Sequence, residues 1–148
     1  MNTEKKWTPT HLSYLLMIRQ LDRDAKGVRS VDIAVALGLS KPSVHHMLEM
    51  FAREGLIERK SYGVAFLTEA GEALAQKYAQ YYDAVEQFLQ EGFPQLEQPR
   101  AAVCTLLAEI PEHALQALQD HSREKPPLHG DTECLRVSVG RTGEKENQ

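Results

Sequence analysis

Residues 30–51 read SVDIAVALGLSKPSVHHMLEMF and contain two short helix patterns separated by a glycine turn. In the second pattern, apolar residues recur at helical spacing from Val44 to Phe51, which predicts a helix with one buried face. Gly38 stands where the first helix would end in the left-handed conformation, and Ser40 stands where the second helix needs a cap. A short turn of this kind between two helices is typical of a helix-turn-helix.

A further helix is predicted before this stretch, and a β-hairpin is predicted after it. Apolar residues recur at helical spacing from Pro9 onward, and this first helix is expected to stop near Gly27. Residues 56–60 and 64–67 have the composition of short strands joined by a tight turn. Three helices followed by a two-stranded wing form a winged helix-turn-helix, which is predicted for residues 1–71.

The second half of the chain is predicted to be helical and to hold a dimer interface. Thr68 caps a long helix with a heptad-like apolar stripe, and two shorter helices are expected to begin at Pro99 and Pro111. The stripe predicts an interface with a second copy, formed by Tyr78, Tyr81, Val85 and Phe88. The predicted fold class is therefore mainly α: a winged helix-turn-helix, a helical dimerisation domain in residues 72–123, and a flexible tail in residues 124–148.

The distribution of charge favours a DNA-binding half joined to a half with another task. The chain has 148 residues and a net charge of −4, but residues 1–70 hold ten Lys and Arg against eight Asp and Glu. Residues 71–148 hold seven Lys and Arg against thirteen Asp and Glu. A slightly basic half beside an acidic half is typical of a DNA reader joined to a domain that does not bind DNA.

Other features of the sequence predict a cytoplasmic protein without a membrane partner. No apolar run approaches the roughly 18 residues that a bilayer-spanning helix needs. Residues 1–6 lack the apolar segment of a secretory signal. Cys104 and Cys134 form no closely spaced pair, and a reducing compartment would leave both as thiols.

The outer face of the third helix carries the candidate DNA-binding residues. Hydroxyl groups, a lysine and the backbone amides at a helix start suit phosphate oxygens, whereas imidazole rings suit base edges. On this helix the candidates are Ser40, Lys41, Ser43, His45 and His46. On the wing, basic and aromatic side chains would grip a neighbouring phosphate or the minor groove, and these are Arg59, Lys60 and Tyr62.

Two other classes of function compete with DNA binding. A winged fold also serves as a protein-interaction module, and the small excess of positive charge in the first half favours that alternative. An enzyme is disfavoured because the chain has no nucleophile elbow, no phosphate-binding loop and no pair of catalytic carboxylates. Glu109 and Glu112 are close in sequence, but their expected exposure indicates a solvated surface.

Residues 28–44 read VRSVDIAVALGLSKPSV and resemble the diphtheria toxin repressor family, which includes manganese transport regulators. EGLI at 54–57, LTEAG at 67–71 and VEQFL at 85–89 resemble the same family in the same order. The resemblance covers roughly residues 9–120 and implies a homodimer that places two winged heads on a palindromic operator. It also implies a divalent metal, Fe²⁺ or Mn²⁺, as corepressor.

The same resemblance implies positions for DNA contacts and for metal ligands. Its DNA-facing positions fall on Ser40, Pro42, Ser43 and His46. Among its metal ligands, a glutamate is kept as Glu86 and a cysteine as Cys104, whereas a histidine is replaced by Tyr82. The remaining ligands, a glutamate-histidine pair and two groups on the first helix, fall on Leu107, Ala108, Ser13 and Leu16.

The metal implied by the resemblance leaves three hypotheses open. The first is a degenerate site that no longer senses metal, formed by Glu86 and Cys104 with help from Asp83 or Glu109, because a tight site needs several donors in fixed geometry. The second is a site rebuilt from other residues, namely His121, His129 and Cys134. The third is a different ligand in a pocket lined by Tyr78, Tyr81 and Tyr82, although such an aromatic stripe is more typical of a dimer core.

The sequence as a whole predicts a dimeric, sequence-specific DNA-binding repressor of the iron- or manganese-dependent type, and no enzyme. Two alternatives remain: a winged-helix protein-interaction module, and a regulator that senses a ligand other than a metal.

Overall fold

Six helices and three short strands make up residues 7–124, the part of the chain that the structure, a computed structural model, describes. In chain order the elements are α1 (Pro9–Leu21), β1 (Val28–Arg29), α2 (Ser30–Leu37), α3 (Lys41–Arg53), β2 (Ile57–Lys60), a 3-10 turn (Ser61–Gly63), β3 (Val64–Leu67), α4 (Glu69–Gly92), α5 (Arg100–Glu109) and α6 (Glu112–Glu124). The predicted mainly α fold, a winged helix-turn-helix followed by helices, is confirmed. The predicted tail, residues 124–148, lies outside the described residues except for Glu124. Within residues 7–124, no helix combines the length and the apolar character that crossing a bilayer requires.

The wing contains one strand more than the sequence predicted. β3 lies between β1 and β2 in an antiparallel sheet, and Val28 of β1 pairs with Ala65 of β3. Gly27 precedes β1 with φ +82°, and a Cβ atom there would lie 2.5 Å from a methyl carbon of Val64. β1 was missed because two residues are too short to show the alternation that marks a strand.

Side-chain caps define where α3 and α4 begin, whereas α2 begins without one. Ser40 and Thr68 cap α3 and α4 as predicted, each accepting a hydrogen bond from a backbone N–H in the first turn. The predicted cap of α2 is different, because Ser30 is the first helical residue and Arg29 occupies the cap position without a side-chain cap bond. The Arg29 guanidinium instead pairs with Asp32 at 2.9 Å.

Two buried apolar clusters share α1. Tyr14, Leu15 and Ile18 pack with residues of α2, α3 and the sheet. Leu12 and Leu16, on the other side of α1, pack with residues of α4, α5 and α6. The domain boundary predicted after residue 71 therefore stays a prediction, because α1 contributes to both clusters.

The stripe predicted to form the dimer interface is divided between the protomer core and the surface. Tyr81 and Val85 are only 5% and 1% exposed and pack within the helical cluster. Tyr78 is partly buried at the edge of that cluster, and Phe88 is 57% exposed. A side chain buried in its own chain cannot contact a second copy, so the interface prediction is narrowed to Tyr78 and Phe88.

An ion pair at the surface joins α4 to α6. Lys77 Nζ lies 2.9 Å from Glu112 Oε1, and the Tyr81 hydroxyl donates to the same oxygen at 3.2 Å. The hydrogen bond from Lys77 is the main cause that lowers the pKa of Glu112, and partial burial opposes it. Because the two charged side chains are 40% and 42% exposed, solvent screens the pair, and its contribution to stability is at most about 1 kcal/mol.

A Glu112→Gln variant is expected to lose this contribution at neutral pH and to match the wild type in acid. The pKa of Glu112 is lower in the folded than in the unfolded chain, so the stabilisation is complete above the unfolded value of about 4.3 and is lost as pH falls through the folded value. Thermal unfolding of the wild type and the variant, from neutral pH down to acid, measures the difference in stability. Glu97→Gln, at an exposed position between α4 and α5, is the control, and a Glu112→Gln deficit that persists in acid would contradict this role.

Candidate functional site

The third helix presents a buried apolar face and an exposed polar one. Val44, Leu48 and Phe51 are each at most 1% exposed and anchor α3 in the core of the winged helix-turn-helix. We call this part of the molecule, within residues 1–71, the head. The predicted DNA-facing residues on the other side are all exposed: Ser40, Lys41, Pro42, Ser43, His45 and His46. The sequence-based assignment of the two faces therefore agrees with the packing of this helix.

The N-terminus of α3 is preorganised by its cap. Ser40 Oγ accepts a hydrogen bond from the Ser43 backbone N–H at 3.3 Å, and the two serine Oγ atoms lie 2.8 Å apart. Lys41 and Pro42 occupy the first turn. An exposed helix start with hydroxyl groups and a lysine is suited to a phosphate oxygen, because the helix dipole and free N–H groups favour an anion there.

His45 is held between α3 and the wing. Its Nδ1 lies 3.0 Å from Nη2 of Arg59 on β2, and its Nε2 lies 3.2 Å from a carboxylate oxygen of Glu49. A guanidinium can only donate, so Nδ1 accepts and the proton of the neutral ring sits on Nε2, where it is donated to Glu49. Both ring nitrogens of His45 are occupied in this way, which leaves His46 as the exposed histidine better placed for a base edge.

Of the wing residues, one contacts α3 and another is open to solvent. Arg59 is half-buried and ties the wing to α3 through His45. Lys60 is exposed, and its ammonium lies 4.7 Å from the centre of the Phe66 ring. Tyr62 belongs to the turn Ser61–Gly63, and its side chain lies outside the described part of the structure. Lys60 is therefore the wing cation most open to a phosphate.

At the junction of α1, α4 and α5, Arg100 on α5 forms hydrogen bonds to α1, while Arg19 on α1 pairs with Glu72 on α4 at 3.3 Å. The Nη2 of Arg100 donates to the Ser13 carbonyl at 3.0 Å, and its Nε donates to the Ser13 hydroxyl at 3.5 Å. Arg100 also lines an open cleft of about 380 Å³ together with Leu16, Tyr82 and Asp83. A permanently charged guanidinium thus lies where three helices meet.

The chain matches known proteins in two ways, in the sequence of its helix-turn-helix and in its three-dimensional fold. The helix-turn-helix domain of the IclR family matches residues 15–61, which run from α1 to the turn of the wing. The transcriptional regulator MntR of Escherichia coli O157:H7 is 42% identical over 76 residues, 51% of this chain and 49% of that protein. This chain therefore spans about half the length of the curated relatives that it matches.

Solved structures agree with this match. The manganese regulator SloR has a TM-score of 0.69 at 20% identity, covering 80% of this chain and 56% of SloR. ScaR with bound Zn²⁺ has a TM-score of 0.61 at 20% identity, covering 78% of this chain and 54% of ScaR. The MntR match supports the resemblance to the diphtheria toxin repressor family over about half of the chain, and the solved structures, at 20% identity, share the fold. MntR and SloR are both named as regulators.

The metal ligands of the family have no complete counterpart in this chain. Among the described residues, no three His, Cys, Asp or Glu side chains come together in a group able to hold a metal ion. Glu109 is exposed at the end of α5, and His121 is exposed on α6. His129 and Cys134, invoked for a rebuilt site, lie outside the described residues.

Burial also makes the retained donors less ready to give up the proton that a metal ligand must lose. Burial raises the pKa of the Cys104 thiol, against the influence of Arg100. Burial also raises the pKa of Glu86, with a smaller effect from Asp83, and that of Asp83 itself, which Arg19 opposes. A metal ligand must be deprotonated, so raised pKa values disfavour binding. The residues present therefore do not fit the metal that the family implies.

Two functional contacts were missed at the level of sequence. The spacing of four residues places Glu49 beside His45 on α3, but it does not show that Glu49 accepts a hydrogen bond from the His45 ring. Arg100 was assigned no role, yet a cation in the first turn of a helix opposes the helix dipole. That unfavourable placement was the signal that Arg100 has a partner elsewhere, which the structure identifies as Ser13.

Proposed function

We propose that this chain is a sequence-specific DNA-binding transcriptional regulator, acting as a dimeric repressor of the diphtheria toxin repressor type. The observation that carries the proposal is the third helix, with its apolar face fixed in the head and its capped polar end open to solvent. The match of residues 15–61 to a helix-turn-helix domain and the MntR relatives support the same function. A regulator of this kind acts in the cytoplasm.

Self-association is supported by exposed apolar side chains on the helical part. Phe88 and Phe93 are 57% and 61% exposed, and Leu96 in the following connection is 39% exposed. Exposed aromatic residues are enriched at interfaces, because burying them against a second copy removes apolar surface from water. We assign residues 72–123 to dimerisation and residues 1–71 to DNA binding.

A dependence on Fe²⁺ or Mn²⁺ stays a prediction drawn from the relatives. SloR is described as a manganese regulator, and ScaR binds Zn²⁺ in one structure and Cd²⁺ in another. The candidate donors of this chain do not support that extension. Asp83, Glu86 and Cys104 carry raised pKa values, and Glu109 is exposed at the far end of α5.

Selection of duplexes from a random DNA pool by the purified full chain tests the proposal. We expect enrichment of one palindromic sequence, with half-sites about 10 bp apart or a multiple of this, and binding that weakens as salt rises. Sedimentation should give twice the protomer mass of 16.7 kDa. Failure to enrich any sequence would favour the protein-interaction module.

Lys41→Ala and Lys60→Ala variants are expected to weaken binding to all duplexes about equally. Each removes a phosphate contact, so the dependence of log K on log salt concentration should become shallower by about 1 per protomer. The measurement is fluorescence anisotropy over a salt series. Lys26→Ala, which removes an 81% exposed lysine from the loop after α1, is the control and should leave the slope unchanged. An unaltered slope in the first two variants would contradict their assigned contacts.

A further inference from the structure

The junction where the family would place a metal holds a different cation. The positions aligned with family ligands include Ser13 on α1, Tyr82 and Glu86 on α4, and Cys104 on α5. Arg100 comes one helical turn before Cys104, and its guanidinium donates twice to Ser13. The same side chain lines the cleft beside Tyr82. A fixed positive charge therefore contacts one ligand position directly and neighbours two others.

The positive charge of Arg100 affects the pKa values of neighbouring side chains at this junction. Burial is the main cause that raises the pKa of Tyr82, the negative charge of Glu86 adds to it, and Arg100 opposes it. Arg100 likewise opposes the rise in the pKa of the Cys104 thiol. A divalent ion placed at this junction would be repelled by the guanidinium, which does not deprotonate at any physiological pH.

Arg100 also connects the helical part of the molecule to the winged helix-turn-helix, which are the two parts that a corepressor would have to connect. α1 contributes residues to both buried clusters. A hydrogen bond to Ser13 on α1 therefore links α5 to a helix that packs in the core of the winged helix-turn-helix. α5 packs with residues of α1, α4 and α6 in the helical cluster, and it belongs to the segment that we propose for dimerisation. The bonds from Arg100 to Ser13 therefore fix the helical part against the base of the head.

We propose that Arg100 is a built-in cation that takes the place of a divalent metal at the α1–α4–α5 junction, so that this regulator binds its operator without metal. The inference rests on the proposed DNA-binding function. Arg100 acts as a positioning residue, because its hydrogen bonds go to Ser13 on α1 and not to the end of α3 that we propose to face DNA. The chain is then a constitutive DNA binder, unless another ligand acts on it.

The first test measures metal binding without DNA. Adding MnCl₂, or FeSO₄ under anaerobic conditions, to the chelator-treated full chain should leave its Tm unchanged, because a ligand raises Tm only if it binds the folded state. Elemental analysis of the purified protein should find no stoichiometric metal. A saturable rise in Tm, or one bound metal ion per protomer, would overturn the inference whether or not the chain binds DNA.

The second test measures DNA affinity with EDTA and with added Mn²⁺, using a duplex selected separately under each condition. Both selections should enrich the same sequence, with affinities that differ by less than about twofold, far below the coupling of a true effector. Enrichment with Mn²⁺ alone would overturn this inference and leave the proposed function intact. Enrichment under neither condition would overturn the proposed function itself.

Variants of Arg100 separate its charge from its hydrogen bonds. Arg100→Gln keeps a donor for Ser13 but loses the charge, and its affinity should fall about tenfold, since a hydrogen bond from a charged group contributes more than a neutral one. Arg100→Lys keeps the charge and should retain most of the affinity. Arg123→Gln removes an exposed arginine from α6 and is the matched control. Equal losses in the Gln and Lys variants would reduce Arg100 to a packing role and overturn the proposal.

Discussion

A Gly71→Ala variant is expected to unfold about 10 °C below the wild type, which corresponds to a loss of about 3 kcal/mol for a chain of this size. Gly71 lies in the first turn of α4, where the backbone of α4 passes over the end of the loop before β2. A Cβ atom at Gly71 would lie 1.9 Å from the carbonyl oxygen of Leu56. No rotation of a side chain relieves this overlap, because both atoms are fixed to backbone.

Moving the backbone around Gly71 away from Leu56 would also cost free energy. Thr68 donates its backbone N–H to the same Leu56 oxygen at 3.0 Å, and its hydroxyl donates to the Gly55 carbonyl at 2.6 Å. That hydroxyl oxygen also accepts from the Gly71 N–H at 3.1 Å. Displacing α4 to admit a methyl group therefore strains or breaks bonds that hold the start of α4 against the head.

The sign of this prediction is the reverse of the usual one for a helix. Replacing an exposed helical glycine by alanine normally stabilises by about 0.5–1 kcal/mol, because alanine restricts the unfolded chain. Gly92 provides the control within the same helix, since a Cβ atom there meets no heavy atom within 4 Å. Circular dichroism during heating should show a stability within about 0.5 kcal/mol of the wild type for Gly92→Ala. Similar Tm values for the two variants would contradict the close approach of α4 to Leu56.

The faces of the third helix were predictable because they depend on local chemistry. The spacing of Val44, Leu48 and Phe51 follows from the helical period, and the cap at Ser40 follows from its hydroxyl. Both signals are contained in one short stretch of sequence. The helix, its buried face and its open polar end therefore all follow from the sequence alone.

Contacts between distant segments were not predictable in the same way. β1 is only two residues long and exists through pairing with β3, and Arg100 meets Ser13 across 87 positions of sequence. The heptad-like stripe on α4 showed that one face is apolar but not what covers it. The structure places Tyr81 and Val85 in the cluster formed with α5 and α6, so half of that stripe stabilises the protomer.

A Ser43→Glu variant is expected to lose at least about 100-fold in DNA affinity, or about 2.7 kcal/mol, while its fold stays intact. Ser43 is exposed in the first turn of α3, beside Lys41 at the end proposed to meet the DNA backbone. A carboxylate there faces phosphate groups and occupies the anion-binding start of the helix. Like charges brought together in a complex cost several kcal/mol, which makes this the largest expected effect of any single exposed change.

The effect of Ser43→Glu on stability should have the opposite sign from its effect on binding. An acidic residue in the first turn favours the helix dipole, and glutamate three residues after a serine cap completes a capping box, so the Tm should stay level or rise slightly. Fluorescence anisotropy with the selected duplex and thermal unfolding measure the two effects separately. Gln116→Glu makes the same charge change on an exposed face of α6 and should leave affinity nearly unchanged. If a folded Ser43→Glu protein bound DNA as tightly as the wild type, α3 would not enter the groove by its N-terminal end, and the winged head would fit a protein-docking role instead.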